Sequence, residues 1–289
     1  MLVTLNACCQ GSSHIKDGKP CQDFSLSVSN KKRTYAYAIT ADGHGGDKYI
    51  RSAKGSELAV KCAVKSTNDI FKELFPSMKK KKDVLMEKNL QLLCAKILLR
   101  WHKAVEKHFT DNPLSGEEIA FCKKTGIILP IAEDNIPVLY GSTLLMAVYF
   151  EQFDFWFALQ IGDGKVFIVK DDNTVFSSPK LENEKLGFGV TTSLCSKDAC
   201  EEFHYDFGFE KITGIVVMSD GMTDSFDLEK LPSFLLDIKQ NAIEDVDKTK
   251  KELEEFLPKL SDQGSGDDIS IAGIFVKDAS FLDKYLKKI

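Results

Sequence analysis

Four times along this chain a strand-like apolar run meets an aspartate flanked by glycine or by another aspartate. The first is Ala38-Ile39-Thr40-Ala41-Asp42-Gly43, continued by His44-Gly45-Gly46. The second is Leu159-Gln160-Ile161-Gly162-Asp163-Gly164. The third is Val216-Val217-Met218-Ser219-Asp220-Gly221, with Asp224 one helical turn further on. The fourth runs the other way, Gly266-Asp267-Asp268 preceding Ile269-Ser270-Ile271. Glycine at such points lets the backbone turn through positive φ and lets a ligand approach the main chain.

Taken singly, each motif has an ordinary reading. Asp-Gly between apolar runs is a hairpin signal, and Asp220 with Asp224 fits a helix N-cap and a first-turn acid. Taken together they demand more. If these strand ends converge on one edge of the sheets, several carboxylates share a small volume. Like charges so placed cannot all stay ionised without a compensating cation. Oxygen-only ligation suits a hard ion, Mg²⁺ or Mn²⁺. Two such ions roughly 3.5–4 Å apart activate water against a phosphoryl group.

Other chemistries fit less well. The eight cysteines form no CxxC pair and the five histidines are isolated, so no zinc site is expected and the thiols read as reduced. Residues 163–173 lack the EF-hand pattern, Gly43–Gly46 lacks P-loop spacing, and there is no GxSxG elbow. A net charge of −5 gives no footprint for nucleic acid or a membrane face. Met1–Asn6 carries no secretory signature, and no apolar stretch nears the ~18 residues of a spanning helix. A cytoplasmic protein is expected.

In chain order, strands are expected at 2–8, 24–28 and 34–41, the last two joined by a turn at Asn30-Lys31-Lys32. Gly11–Gln22 reads as a polar loop. Helical patterns cover Tyr49–Phe75 and the Leu90-Leu93-Ile97-Trp101-Ala104-His108 series, joined by the solvated lysine run 79–82. Residues 110–137 show three prolines and no sustained period, which reads as an insertion or flap. Strands follow at 142–150, 153–161 and 165–170, an undecided stretch at 180–202, and strands at 201–207 and 214–218. Helices at about 227–242 and 246–260, a loop at 261–267, a strand at 269–276 and a short C-terminal helix complete the chain. With no linker and no repeat, residues 1–289 read as one α+β domain of antiparallel sheets covered by helices.

These residues resemble the type 2C (PPM) family of metal-dependent protein serine/threonine phosphatases. The motifs that match, in order, are Asp42-Gly43-His44-Gly45-Gly46, Gly141-Ser142-Thr143, Gly162-Asp163, Ser219-Asp220-Gly221-Met222-Thr223-Asp224 and Gly266-Asp267-Asp268-Ile269-Ser270. Pro20-Cys21-Gln22-Asp23 resembles a variant first motif of the bacterial-type branch. The resemblance implies a β-sandwich of two antiparallel sheets flanked by α-helices, with a two-metal centre at one end. By position it implies that Asp42 bridges two ions, the Gly43 carbonyl helps hold one, Asp220 and Asp267 hold the other, and Asp23 acts through water. Asp163 and Asp224 would hold a weaker third ion. Water activated by the ions would attack phosphorus in line. His44 is the candidate general acid for the leaving oxygen.

Where many members carry a phosphate-gripping Arg, this chain has Gly18; His14, Lys16 and Lys19 are the cations available to substitute. The Asn that often follows the final ligand is Asp268, and Gly189–Cys200 departs from the usual pattern. The leading expectation is a phosphatase acting on a phosphorylated protein substrate. Catalytically weak or inactive phosphoprotein-binding regulatory modules and small-phosphoester hydrolases are the alternatives. Oligomeric state is open, with a monomer favoured.

Overall fold

In the computed structural model, residues 1–80, 83–129, 132–180 and 191–277 are described. The chain runs β1 (Leu2–Cys9), α1 (Ser12–Asp17), β2 (Phe24–Ser29), β3 (Tyr35–Ala41), α2 (Ser52–Lys80), α3 (Asp83–Asp111) and α4 (Gly116–Thr125). It continues through β4 (Leu144–Phe150), β5 (Phe155–Ile161), β6 (Lys165–Lys170), β7 (Val175–Ser177), β8 (His204–Gly208) and β9 (Ile212–Met218). Then come α5 (Asp220–Ser225), α6 (Leu231–Glu244), α7 (Val246–Gln263) and β10 (Ile269–Val276).

The strands form two five-stranded sheets, ordered β1-β10-β9-β6-β7 and β2-β3-β4-β5-β8. Every strand pairing is antiparallel. Period-two alternation sorts side chains into layers. Ala36, Ala38, Leu145, Ala147 and Tyr149 of one sheet meet Val166, Ile168, Ile215, Val217, Ala272 and Ile274 of the other. The intervening residues Tyr37, Ile39, Met146, Val148 and Phe157 face outward and pack on α2 and α3, with Trp101 at the centre. On the far side Leu5, Ala7, Val216, Met218 and Ile271 pack on α6 and α7 through Leu235, Leu253 and Leu257. Both faces of β4 and β5 are therefore covered, which is why these strands are apolar nearly throughout and why every residue in them is buried. The fold is the helix-flanked, two-sheet sandwich that the resemblance implies.

The local differences from the sequence expectation have physical reasons. The polar loop 11–22 contains α1, closed by Gly18 in the left-handed region at φ 67°; six residues are too few to show a period. Segment 110–137 is not irregular throughout. It holds α4, started by a capping box in which Ser115 and Glu118 exchange side-chain-to-backbone hydrogen bonds, and ended by Gly126 at φ 80°. A 3₁₀ turn over Glu133–Tyr140 follows. Helix α2 runs on to Lys80; the lysine run falls at its end, and Lys81 and Lys82 lie outside the described residues. So do the expected C-terminal helix and residues 181–190 of the undecided stretch.

Arg51, just before α2, fastens α4 to the body. Its guanidinium donates to both Glu118 carboxylate oxygens at 2.7 and 2.9 Å, to the Asn112 carbonyl at 2.7 Å and to the Tyr140 hydroxyl at 3.0 Å. The hydrogen bonds from Arg51 hold the Glu118 carboxyl down at about 2, below its ordinary value of 4.5. Arg51→Met should cost about 2–3 kcal/mol, because it strands Glu118 half-buried without its cation. The folded pKa is depressed, so this stabilisation is full above pH 4.5 and is lost as pH falls toward 2. Thermal melts of both proteins between pH 7 and pH 3 should show the gap narrowing at the acid end.

Candidate metal centre

The motifs meet because neighbouring strands end level with one another. Thr40 pairs with Leu145, Leu144 with Ile161, Lys165 with Met218 and Met218 with Ile271. The turns carrying Asp42, Asp163, Asp220 and Asp267 therefore share one edge. Gly141-Ser142-Thr143 is the splint for the first. Thr143 accepts from the Asp42 amide through its hydroxyl at 2.9 Å and donates its own amide to the Asp42 carbonyl at 2.8 Å. Gly43 forms an isolated antiparallel bridge with Ser142, and the His44 amide donates to the Gly141 carbonyl at 3.1 Å.

Two glycines are dictated by this packing. Gly162 sits at φ +116° with Thr143 side-chain atoms 2.5 Å from where a Cβ would lie, so no other residue places Asp163 there. Gly221 would put a Cβ 2.0 Å from the Asp268 carbonyl oxygen, so it lets the start of α5 lie on the Asp267–Asp268 turn. The Asp220 carboxylate accepts from the Gly221 amide at 2.8 Å, within that first turn.

One carboxylate oxygen from each of Asp42, Asp163 and Asp220 lies within 4.8 Å of the other two. The surrounding acids act on the same space. Burial, then Asp23, Asp220 and Asp267, hold the Asp42 carboxyl well above the carboxylate range. Burial, Asp163 and Asp267 push Asp220 up to about 6, and burial followed by the same two neighbours raises Asp224. Asp23 is buried and pushed up to about 7, chiefly by desolvation. The Ser270 and Ser219 hydroxyls oppose part of that, yet neither Asp23 oxygen finds a well-aligned hydrogen-bond partner, and Ser270 Oγ is orphaned too. Buried, unpaired carboxylate oxygens facing further carboxylates are a donor set for a hard divalent cation.

His44 stands beside this cluster. Its Nε2 lies 2.7 Å from the Ser193 hydroxyl, and its ring centroid lies 4.7 Å from that of Tyr49. Burial lowers its pKa, Asp163 opposing. Ser193 belongs to a hydroxyl run that supports two motifs at once. Thr192 Oγ1 accepts from the Gly162 amide at 2.8 Å, and the Thr191 hydroxyl donates to the Asp163 carboxylate. Nothing in the sequence marks this Thr-Thr-Ser run beyond three consecutive hydroxyls in a segment of no clear period.

The three candidate phosphate-binding cations separate in space. Lys19 Nζ donates to the Gly45 carbonyl at 3.0 Å, at the rim of the Asp42–Gly46 turn. His14 is buried, its Nδ1 3.0 Å from an Asp268 oxygen and its Nε2 3.7 Å from an Asp267 oxygen. Lys16 points to solvent and pairs loosely with Asp262 at 3.9 Å. Asp268 itself is buried and accepts from the Gly11 amide at 2.6 Å and the Gln22 amide at 2.5 Å. Its charge binds the α1 loop to the start of β10.

Fold and site together define a helix-flanked double β-sheet with a carboxylate cluster at one edge. The sequence profile of protein phosphatase 2C matches residues 10–258, and the chain belongs to that family. Among solved structures it is similar to PppA, a key regulatory component of T6SS in Pseudomonas aeruginosa, at 13% identity and TM-score 0.55, over 95% of this chain and 97% of that one. It is similar to the Mycobacterium tuberculosis serine/threonine phosphatase PstP/Ppp at 12% identity and TM-score 0.54, over 96% of this chain and 99% of that one. The catalytic domain of PstP in complex with two manganese ions gives 15% identity and TM-score 0.54, over 96% of this chain and 100% of that one. At these identities the likeness carries the fold alone. A search of curated protein sequences finds no match.

Proposed function

We propose that this chain is a protein phosphatase that hydrolyses phosphoserine and phosphothreonine with the help of two divalent ions, Mn²⁺ or Mg²⁺, and a weaker third. The observation that carries this reading is the set of converging carboxylates, Asp42, Asp163 and Asp220 with buried, unpartnered Asp23, in a chain of the protein phosphatase 2C family. When bound, the ions supply Lewis acidity and make water nucleophilic near neutral pH. Asp42 and the Gly43 carbonyl, with Asp220, Asp267 and Asp23, would hold the pair; Asp163 and Asp224 would hold the third. We read residues 1–289 as one domain, since strands from both ends of the chain share a sheet and supply this edge.

The chain's own groups do the rest. The Thr143 splint and the Gly162 turn fix the carboxylates before substrate arrives, so little reorganisation is needed. Lys19, at the rim, is placed to meet a phosphoryl oxygen by exchanging its Gly45 carbonyl for that stronger acceptor. His44 gives a proton to the departing Ser or Thr oxygen. His44→Ala should therefore cut turnover of a phosphothreonine peptide by about 10²-fold, and turnover of p-nitrophenyl phosphate far less, since nitrophenolate leaves without a proton.

The deciding experiment is hydrolysis of both substrates with Mn²⁺ and with EDTA, alongside Asp220→Asn. Turnover that needs the metal and vanishes in the variant is expected. Turnover of the small ester alone would indicate a small-phosphoester hydrolase. Metal binding by a folded protein with no turnover would favour a regulatory module that binds phosphoproteins, consistent with no Arg on the α1 loop.

A further inference from the structure

Beside the centre, between the α1 loop and α4, lies a groove of about 480 Å³. It adjoins the reacting end of the molecule on two sides, because Gln22 precedes Asp23 and Gly45-Gly46 follow His44, and all three line it. Its rim carries the carboxylates of Asp17, Asp47 and Glu117, none in an ion pair among the described residues. The one cation among the lining residues is Lys19, already donating to the Gly45 carbonyl, and the Glu118 charge is matched by Arg51. Counting also Lys48, whose ammonium lies against the Tyr49 wall, three carboxylates face two cations and the groove is net negative.

Two further observations indicate what it takes. Gln22 is more than nine-tenths buried in the floor; its amide nitrogen donates to Ser52 Oγ at 2.6 Å, while its amide oxygen has no hydrogen-bond partner. An unmatched buried acceptor calls for a donor. The walls supply aromatic faces, Tyr49 on one side and Phe121, 40% exposed, on α4. Tyr49 already has an ammonium over its ring, Lys48 Nζ lying 4.8 Å from the centroid. Acid rim, orphan acceptor and aromatic wall together match a long basic side chain, its stem on the rings and its head at the oxygens.

We propose that this groove receives the peptide flanking the phosphorylated residue of a protein substrate and selects an arginine or lysine there; the proposal rests on the phosphoprotein reading given above. Segment 110–137 then has a role, since α4 is the selecting wall that Arg51 holds in place.

The test uses phosphothreonine peptides that carry one Arg or one Glu at each position from four residues before to four residues after the phosphothreonine. Values of kcat/KM are read with Mn²⁺ for the wild type and for Asp47→Asn/Glu117→Gln. At one position Arg should be preferred over Glu by about 10-fold, and the double variant should lose that preference while its p-nitrophenyl phosphate turnover is unchanged. Equal rates at every position, or a preference the double variant keeps, would overturn the proposal. Phosphonate versions of the same peptides, followed by fluorescence anisotropy, separate this result from a failure of the functional reading. If no peptide is hydrolysed, tighter binding of the Arg peptide to wild type than to the double variant still supports the groove. Equal binding sinks it.

Discussion

Asp42→Asn should lower metal-dependent turnover by at least about 10²–10³-fold while leaving the metal-free protein more stable than the wild type. Both effects come from one change of charge. Asn has nearly the same shape, and Asp42 is positioned by its backbone, through hydrogen bonds to Thr143 that the substitution does not touch. What disappears is a carboxylate opposed by its surroundings, since burial and the charges of Asp23, Asp220 and Asp267 all disfavour its ionised form. Without a cation that charge is a liability, and removing it relieves its neighbours; with a cation it is the group proposed to join the two ions. Opposite signs in activity and in metal-free stability mark a ligand. A residue that merely holds the fold would lose both. Equal melting temperatures in EDTA for the variant and the wild type would show that the cluster is not under charge strain.

The second large effect is a dependence of metal-free stability on pH. Asp23, raised to about 7, and Asp220, raised to about 6, both start from an ordinary value of 3.8, and Asp42 moves the same way. A carboxyl with a raised folded-state pKa holds its proton longer folded than unfolded. Its penalty is absent below the unfolded value, grows as pH rises through the interval, and is complete above the folded value. In EDTA the protein should therefore be most stable near pH 5 and lose several kcal/mol by pH 8, on the order of 10 °C in melting temperature. Mn²⁺ should reverse the trend, because it binds the ionised carboxylates and stabilises more as pH rises. Melting curves at pH 5, 6.5 and 8, with and without Mn²⁺, settle it. A flat profile in EDTA would show that the carboxylates are better solvated than their burial implies.

Asp42, Asp163 and Asp220 were legible in the sequence because each sits in a local pattern, an apolar run broken at Asp-Gly, that survives without knowledge of its neighbours, and Asp267 in its mirror, Gly-Asp-Asp before an apolar run. The strands were legible for the same reason, with both faces of β4 and β5 buried and the runs unbroken. What could not be read is what depends on a distant partner. Asp268 looked like added negative charge beside a ligand; its carboxylate is instead consumed by the Gly11 and Gln22 amides, 257 and 246 residues away in sequence. Ser193 carries no motif, and only the fold brings its hydroxyl to His44. Lys16, Lys19 and His14 share one short segment, yet a helical turn sends one to solvent, one to the Asp42–Gly46 rim and one inward. Helix α4 did leave a signal, Ser115 three residues before Glu118, that a search for long periods passes over.

The placement of β10 between β1 and β9 has a consequence for how the protein is made. Asp23 and Asp42 leave the ribosome more than two hundred residues before Asp267 and the strand that seats it. Until β10 is synthesised, β1 has no partner in its sheet and the α1 loop has no Asp268 to fasten it. The nascent chain can pack β2 to β5 against α2 and α3, but the acidic edge lacks Asp267 until the turn before β10 is made. Closing a span of roughly 245–275 residues is the slow, entropically costly step of such a topology. A chain stalled before β10 would carry Asp42, Asp163 and Asp220 but neither Asp267 nor the strand that closes the sheet, so the proposed centre would be left incomplete.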